Sequence, residues 1–209
     1  MRPYIAFEGV DGAGKTVLAR IVSEALRERF PELEVLQVRE PGGTSVGEKV
    51  RKILLHWTGK VCNLAEVLLF ATCRAQLWEE VISPALQRGA VVISDRSAYS
   101  SLAYQGEARG VGAAEVWTVN NIALQGNWPD LVFFLDVDPE VGFGREDEHD
   151  RISSEGLALQ ERVREGYLKS WRADPERIVR IDASKSLKEV FDEVMEIIFE
   201  RFGWHNDPS

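Results

Sequence analysis

The chain has 209 residues, 44% of them hydrophobic and 28% charged, which suits one well-buried α/β domain and is short for two. A formal net charge of -9 argues against a general nucleic-acid binder, because phosphate backbones demand basic surfaces. No apolar run approaches the roughly 20 residues that span a bilayer, no secretory leader pattern opens the chain, and Cys62 and Cys73 lack metal-ligand spacing; a cytoplasmic protein with idle thiols is expected.

Tyr4 to Phe7 read as a buried strand, while Val17, Leu18, Ile21, Val22 and Ala25 recur at helical spacing. Between them FEGVDGAGKT, Phe7 to Thr16, fits the G-x-x-x-x-G-K-[ST] pattern of a phosphate-binding loop. Strand before and helix after are the context that this motif requires. Its glycines let the backbone fold around an anion, and its N–H groups point inward at the helix start. Gly9, Val10, Asp11, Gly12, Ala13, Gly14, Lys15 and Thr16 are therefore the expected nucleotide-binding loop. Lys15 would sit on the outer phosphates, and the Thr16 hydroxyl would ligate Mg²⁺.

Glu34 to Val38 reads as a second strand, and it leads into Arg39-Glu40-Pro41-Gly42-Gly43-Thr44 at the edge where open α/β sheets bind ligands. Ser45 to Leu55 is an amphipathic helix carrying Arg51. Asn63 and Glu66 resemble an N-cap pair ahead of a long helix that ends near Gly89. Arg74 lies inside that mostly apolar helix, so it needs an acceptor; Phe70 at the same spacing reads as core or as a ligand contact. Ala90 to Ser94 is a continuous apolar run, as expected of a central parallel strand, and it ends in Asp95-Arg96. A carboxylate there can hold the water shell of Mg²⁺, and the guanidinium can fork onto a phosphate. Ser100 to Gly106 should form a short helix beside the same site.

Val116 to Leu124 is a further helix, and Leu131 to Val137 the fourth strand. Pro139 starts a helix that runs into the charged stretch Gly144 to Arg151, either a solvated face or a mobile lid carrying arginines. Leu157 to Trp171 is helical, Ile178 to Ile181 the fifth strand and Leu187 to Phe202 the closing helix, with a frayed tail at 205–209. Alternating strands and helices predict an α/β fold: a five-stranded parallel sheet with helices on both faces and a short lid at about 142–153.

FEGVDGAGKT at 7–16, REPGGT at 39–44, LLFATCRAQL at 68–77, DR at 95–96, SSLAYQG at 100–106, LDV at 135–137 and IDAS at 181–184 together resemble the thymidylate kinases, nucleoside monophosphate kinases of the P-loop NTP hydrolase fold. REPGGT and SSLAYQG make the resemblance specific. It implies ATP and Mg²⁺ as donor and cofactor, dTMP as acceptor and a homodimer formed through helices beside the sheet. It further implies that Asp11 meets the sugar 3′-hydroxyl and the reaction zone, and that Phe70 stacks on thymine while Arg74, Ser101 and Gln105 contact the base. Tyr104 would exclude a ribose hydroxyl, Arg39 and Arg96 would grip the acceptor phosphate with Arg51 beside them, and Thr16 and Asp95 would lie at the metal.

Two departures from the family stand out. Gly12 occupies the place where one family group carries a loop arginine, so Arg145 or Arg151 should compensate from the lid, with Arg151 slightly favoured. Yet Glu146, Asp147, Glu148 and Asp150 make that lid acidic. Ser97 stands where an aromatic commonly follows Asp-Arg. A deoxynucleoside kinase acting on thymidine, or a catalytically silent nucleotide sensor, are the competing readings.

Overall fold

The computed structural model describes residues 3–145 and 151–204. Five parallel strands, β1 (Tyr4–Glu8), β2 (Val35–Arg39), β3 (Val91–Asp95), β4 (Leu131–Asp136) and β5 (Ile178–Asp182), form one sheet in the order β2-β3-β1-β4-β5. Every residue of β1, β3 and β4 is buried, as their uninterrupted apolar runs require, whereas the edge strands β2 and β5 each leave part of their length exposed. Helices α1 (Lys15–Arg29), α2 (Ser45–His56), α3 (Asn63–Leu77), α4 (Ser83–Gln87), α5 (Ala98–Ser101), α6 (Ala113–Ala123), α7 (Pro139–Phe143), α8 (Leu157–Ala173) and α9 (Leu187–Phe202) connect and cover the strands. No described helix is long and apolar enough to cross a membrane.

The register places the functional ends. Phe7 pairs with Asp95 across β1 and β3, and the Arg96 N–H donates to the Phe7 carbonyl at 3.0 Å, so the loops after these two strands open side by side. The connection leaving β1 runs to β2 and the one leaving β3 runs to β4, in opposite directions across the sheet, so a crevice forms between the neighbouring ends of β1 and β3. Thr44 caps α2 by accepting the Gly47 N–H at 2.9 Å, which turns the REPGGT loop back toward the cleft. Ser186 and Glu189 form a capping box on α9.

Three local expectations change. Asn63 is the first residue of α3 and no cap: its amide donates to the Arg109 carbonyl at 3.0 Å, while Glu66 turns inward to basic partners. The long helix expected to reach Gly89 contains a widened π turn at Trp78–Ile82, directly ahead of Pro84, whose missing N–H interrupts the regular ladder. The Ser100–Gly106 helix likewise passes into a π segment at Leu102–Ala108. Of the predicted lid, residues 146–150 lie outside the described residues, as does the tail at 205–209.

Candidate functional site

A cleft of about 790 Å³ opens at the carboxyl ends of β1, β2 and β3. Its floor is the phosphate-binding loop: Gly14, in the left-handed region at φ 96, caps α1, and Lys15 and Thr16 begin the helix. The Lys15 ammonium curls back to donate to the Val10 carbonyl at 2.6 Å. Burial, reinforced by the charge of Arg96, brings its pKa down to about 8. The Thr16 hydroxyl donates to Asp95 Oδ2 at 2.6 Å, so a hydroxyl and a carboxylate from two different strand ends stand together.

Asp11 is the hub of the cleft. Its Oδ1 accepts from the Arg96 guanidinium and from the Tyr104 hydroxyl, the latter at 2.9 Å, and its Oδ2 accepts from Gln160 Nε2 at 2.6 Å. Gln160, buried on α8, also accepts the Asp11 backbone N–H at 3.2 Å. Burial works against the Asp11 charge, but Arg96, Lys15 and the hydrogen bonds of Tyr104 and Gln160 outweigh it and hold the carboxyl below its ordinary range. Arg96 itself sits at φ 72, an uncommon left-handed conformation for a non-glycine residue, and its charge lies 5.4 Å from the centre of the Tyr104 ring. Ser94 supports that turn, its hydroxyl donating to the Arg96 carbonyl at 2.6 Å.

The wall opposite the loop is set from below by Glu8. Buried at the end of β1, it accepts the Ser97 N–H and hydroxyl at 2.6 and 2.7 Å, the Ser100 hydroxyl at 2.6 Å and the Tyr167 hydroxyl at 2.8 Å. These bonds orient α5 and so deliver Ser100, Ser101, Tyr104 and Gln105 to the cleft. α8 can approach closely because Gly166 has no side chain: a Cβ there would come within 2.7 Å of the Ala103 Cα. Phe70 from α3, Arg39 from β2 and Arg51 from α2 complete this side. Arg51 donates to the Pro41 carbonyl at 2.7 Å, and Arg39 is exposed, with Glu48 3.9 Å away.

Behind the far end of the cleft, buried Glu66 gathers Gln105 Nε2 at 2.9 Å, Arg109 Nε at 2.9 Å and Arg151 Nη2 at 2.6 Å. Arg151 also donates from Nε to the Leu54 carbonyl at 2.7 Å. Arg145, by contrast, lines the cleft at the end of α7.

The family model described as thymidylate kinase matches residues 7–194. The chain belongs to the thymidylate kinase family. It is 43% identical over 201 residues to a thymidylate kinase of Shouchella clausii, covering 93% of each chain. With that of Caldanaerobacter subterraneus it shares 43% identity over 199 residues, 94% of this chain and 95% of the relative. A crystal structure of thymidylate kinase from Ehrlichia chaffeensis superposes with a TM-score of 0.79 at 30% identity, covering 94% of this chain and 97% of that one. The five-stranded parallel sheet flanked by helices is thus the fold of the family.

Of the residues that the family resemblance singled out, Asp11, Gly12, Gly14, Lys15, Thr16, Arg39, Arg51, Phe70, Asp95, Arg96, Ser101, Tyr104, Gln105 and Arg145 all line the one cleft. Arg74 and Arg151 are not among the lining residues, nor are the loop residues Gly9, Val10 and Ala13. Arg74, expected at the base edge, is fully buried beneath it: it pairs with Glu40 at 2.6 Å, donates to the Ser97 carbonyl at 3.1 Å and to Ser101 Oγ at 3.2 Å, and bonds Asn120. Its two terminal nitrogens meet acceptors, as an arginine in an apolar helix demands, while Nε is buried without a partner among the described residues. Arg151, favoured over Arg145 for the transferred phosphoryl, is held against α2 and α3 by Leu54 and Glu66, whereas Arg145 lines the cleft.

Gly12 also receives an explanation. It has φ 71, and a Cβ there would fall 1.9 Å from the Gly142 carbonyl oxygen, so the loop abuts α7 at a point where a side chain has no room. Ser97, where an aromatic was expected, holds Glu8 instead of walling the cleft. Sequence reasoning missed Glu8, Glu66, Tyr167 and Gln160. Glu8 and Glu66 were readable as carboxylates at a strand end and within a helix, but no local signal marked the other two.

Proposed function

We infer that the chain transfers the terminal phosphoryl group of ATP to the phosphate of dTMP, yielding dTDP and ADP. The observation that carries this reading is the continuity of the cleft: loop residues suited to a triphosphate and a second set of cations, Arg39, Arg51 and Arg96, share one cavity with an aromatic wall. Two phosphate tails can lie in line there, and a second cationic set suits an acceptor that is itself a phosphate.

The acceptor oxygen is already ionised near neutral pH, so no general base is needed, and the work is positioning and charge neutralisation. Lys15 and the loop N–H groups would hold the donor phosphates. Arg96, with Arg39 and Arg51, would hold the acceptor phosphate, and Arg145 would face charge gathering on the transferred group. Asp11 would take the sugar 3′-hydroxyl, Phe70 would stack on thymine, Ser101 and Gln105 would contact its polar edge, and Tyr104 would leave no room for a ribose 2′-hydroxyl. Thr16 and Asp95, hydroxyl and carboxylate 2.6 Å apart, fit Mg²⁺, an ion held by one or two protein oxygens together with water and phosphate. When bound, it would neutralise phosphate charge.

A second copy of the chain is the partner we propose for the α2–α3–α6 side. Ile53 on α2, Trp57 just beyond it, Leu64 and Leu68 one turn apart on α3, and Trp117 and Ile122 on α6 are exposed there, and the three helices are neighbours. Its nucleotide substrates fit a cytoplasmic enzyme. Coupled detection of ADP release with dTMP, dUMP, dCMP and thymidine tests the central reading. Turnover of dTMP and none of thymidine is expected; thymidine as the preferred acceptor, or tight binding of both nucleotides without ADP release, would overturn it.

A further inference from the structure

Gln105 lines the cleft, yet an amide can read a base in two opposite ways. Its oxygen accepts a hydrogen bond and its nitrogen donates two. Which end faces the ligand is decided by the group behind it. Here that group is Glu66, buried on α3, whose Oε1 lies 2.9 Å from Gln105 Nε2. A carboxylate only accepts, so a flipped amide would set oxygen against oxygen with no proton between them. Two arginines lock the carboxylate in this orientation. Arg109 donates to Oε1 at 2.9 Å and to Oε2 at 3.3 Å, and Arg151 donates to Oε2 at 2.6 Å. Burial opposes the Glu66 charge, but Arg151, Gln105 and Arg109 more than offset it, so the group is a carboxylate at neutral pH. One N–H of the Gln105 amide is committed to Glu66, which fixes Oε1 as the end turned away from that carboxylate, and among the described residues nothing donates to that oxygen.

We propose that Glu66 is a positioning residue for acceptor specificity: it orients the Gln105 amide so that the cleft presents a hydrogen-bond acceptor to the base. A thymine attached to its sugar carries a single ring N–H, at N3, so an acceptor can pair with its polar edge only there. Cytosine offers a lone pair at N3, which would meet the Gln105 oxygen as a second acceptor. The arrangement therefore selects N3–H pyrimidines and rejects cytosine, and it is indifferent to the 5-methyl group. This rests on dTMP as the acceptor.

The test compares kcat/KM for dTMP, dUMP and dCMP in wild type, Glu66→Gln and Glu66→Asp. Glutamine at 66 can face Gln105 with either end, so dTMP-over-dCMP preference should fall by about tenfold or more, the scale set by leaving a buried polar group mispaired. The dTMP-over-dUMP preference should stay unchanged, and Glu66→Asp, still acceptor-only, should keep both preferences even if it is slower. Equal losses on all three acceptors in Glu66→Gln, or an unaltered dTMP-over-dCMP ratio, would overturn the proposal by reducing Glu66 to a structural anchor. Should Glu66→Gln fail to fold, calorimetric titration of the wild type with dTMP, dCMP and N3-methyl-dTMP decides. Both latter ligands should bind at least tenfold more weakly, a margin of the size expected for a mispaired polar group, and dCMP binding as tightly as dTMP would sink the idea. Wild-type enzyme that releases no ADP with dTMP would instead overturn the parent reading of the site.

Discussion

Replacing Gln160 by leucine changes side-chain shape little but removes both hydrogen bonds that tie α8 to Asp11. One of them reaches a carboxylate at 2.6 Å, and the other satisfies a buried backbone N–H that leucine would leave unpaired. Each loss is of the order of 1–3 kcal/mol, giving about 2–6 kcal/mol together. For a chain of this size roughly 2–4 °C accompanies each kcal/mol, so the melting temperature should drop by roughly 4–24 °C. Asp11 would also lose its fixed rotamer, and a misplaced carboxylate at the reaction zone should lower kcat/KM for dTMP by about tenfold or more. The pH dependence separates this from a generic core defect. Asp11 has its folded pKa depressed, so its charge contributes stability in full above the unfolded value of about 3.9 and loses it as pH falls through the depressed folded value. The stability gap between wild type and Gln160→Leu should accordingly be widest at neutral pH and narrow below about pH 4. Thermal melts from pH 3 to 7 with parallel steady-state kinetics make the measurement. A variant melting within about a degree of wild type, with unchanged turnover, would show that Gln160 does not hold Asp11.

Three further outcomes follow from the same geometry. Lys15, brought to about 8, should lose its proton within the assayable range, so ATP affinity should weaken above pH 8 by at most tenfold per unit; a flat profile from pH 7 to 9.5 contradicts this. The same depression lies below the unfolded lysine value of about 10.4, so the ligand-free fold should gain stability as pH rises between these limits, visible in chemical melts. Gly12→Ala should destabilise by about 2 kcal/mol or more, because a left-handed φ of 71 and a Cβ 1.9 Å from the Gly142 carbonyl oxygen force the loop away from α7; a melt matching wild type would refute that close approach. Arg145→Ala should reduce kcat by about 100-fold with the dTMP KM nearly unchanged, while Arg151→Ala should mainly lower thermal stability, as Glu66 and Leu54 lose a partner. The reverse ranking in turnover would restore Arg151 to the phosphoryl group.

The fold was legible because its signals are local. Each strand is an apolar run ended by a turn residue, each long helix keeps its spacing, and the loop motif sits between the first of each. The helix Leu187–Phe202 is met to the residue, since the capping box at Ser186 and the left-handed Gly203 mark both ends in the chain itself. The cleft residues were legible for a related reason: they cluster at strand ends. What stayed hidden is pairing across the fold. Asp11 and Gln160 are 149 positions apart, and nothing near either announces the other. Arg74 shows the same limit from another side. Its need for an acceptor was readable, but not that Glu40, Ser97, Ser101 and Asn120 would be the groups that meet it.

Those hidden pairings also resolve an apparent conflict between charge and function. A chain of net charge -9 must admit two polyanions, yet long-range attraction cannot draw them in. The cleft answers locally, and carboxylates hold arginines in advance in and around it: Arg96 by Asp11, Arg74 by Glu40, Arg109 and Arg151 by Glu66. Of these, only the Arg96–Asp11 pair faces the cleft through both partners. Phosphate arriving at Arg96 therefore competes with Asp11 for the same guanidinium, and any lone pair that Asp11 gives up becomes available to a sugar hydroxyl. Binding of the acceptor phosphate and binding of its 3′-hydroxyl are coupled through one exchange. An acceptor lacking either group should thus lose more affinity than the missing contact alone is worth. Comparing dTMP, thymidine, 3′-deoxy-dTMP and 3′-deoxythymidine in a binding cycle should give a non-additive result, and strict additivity would mean that Arg96 and Asp11 act independently.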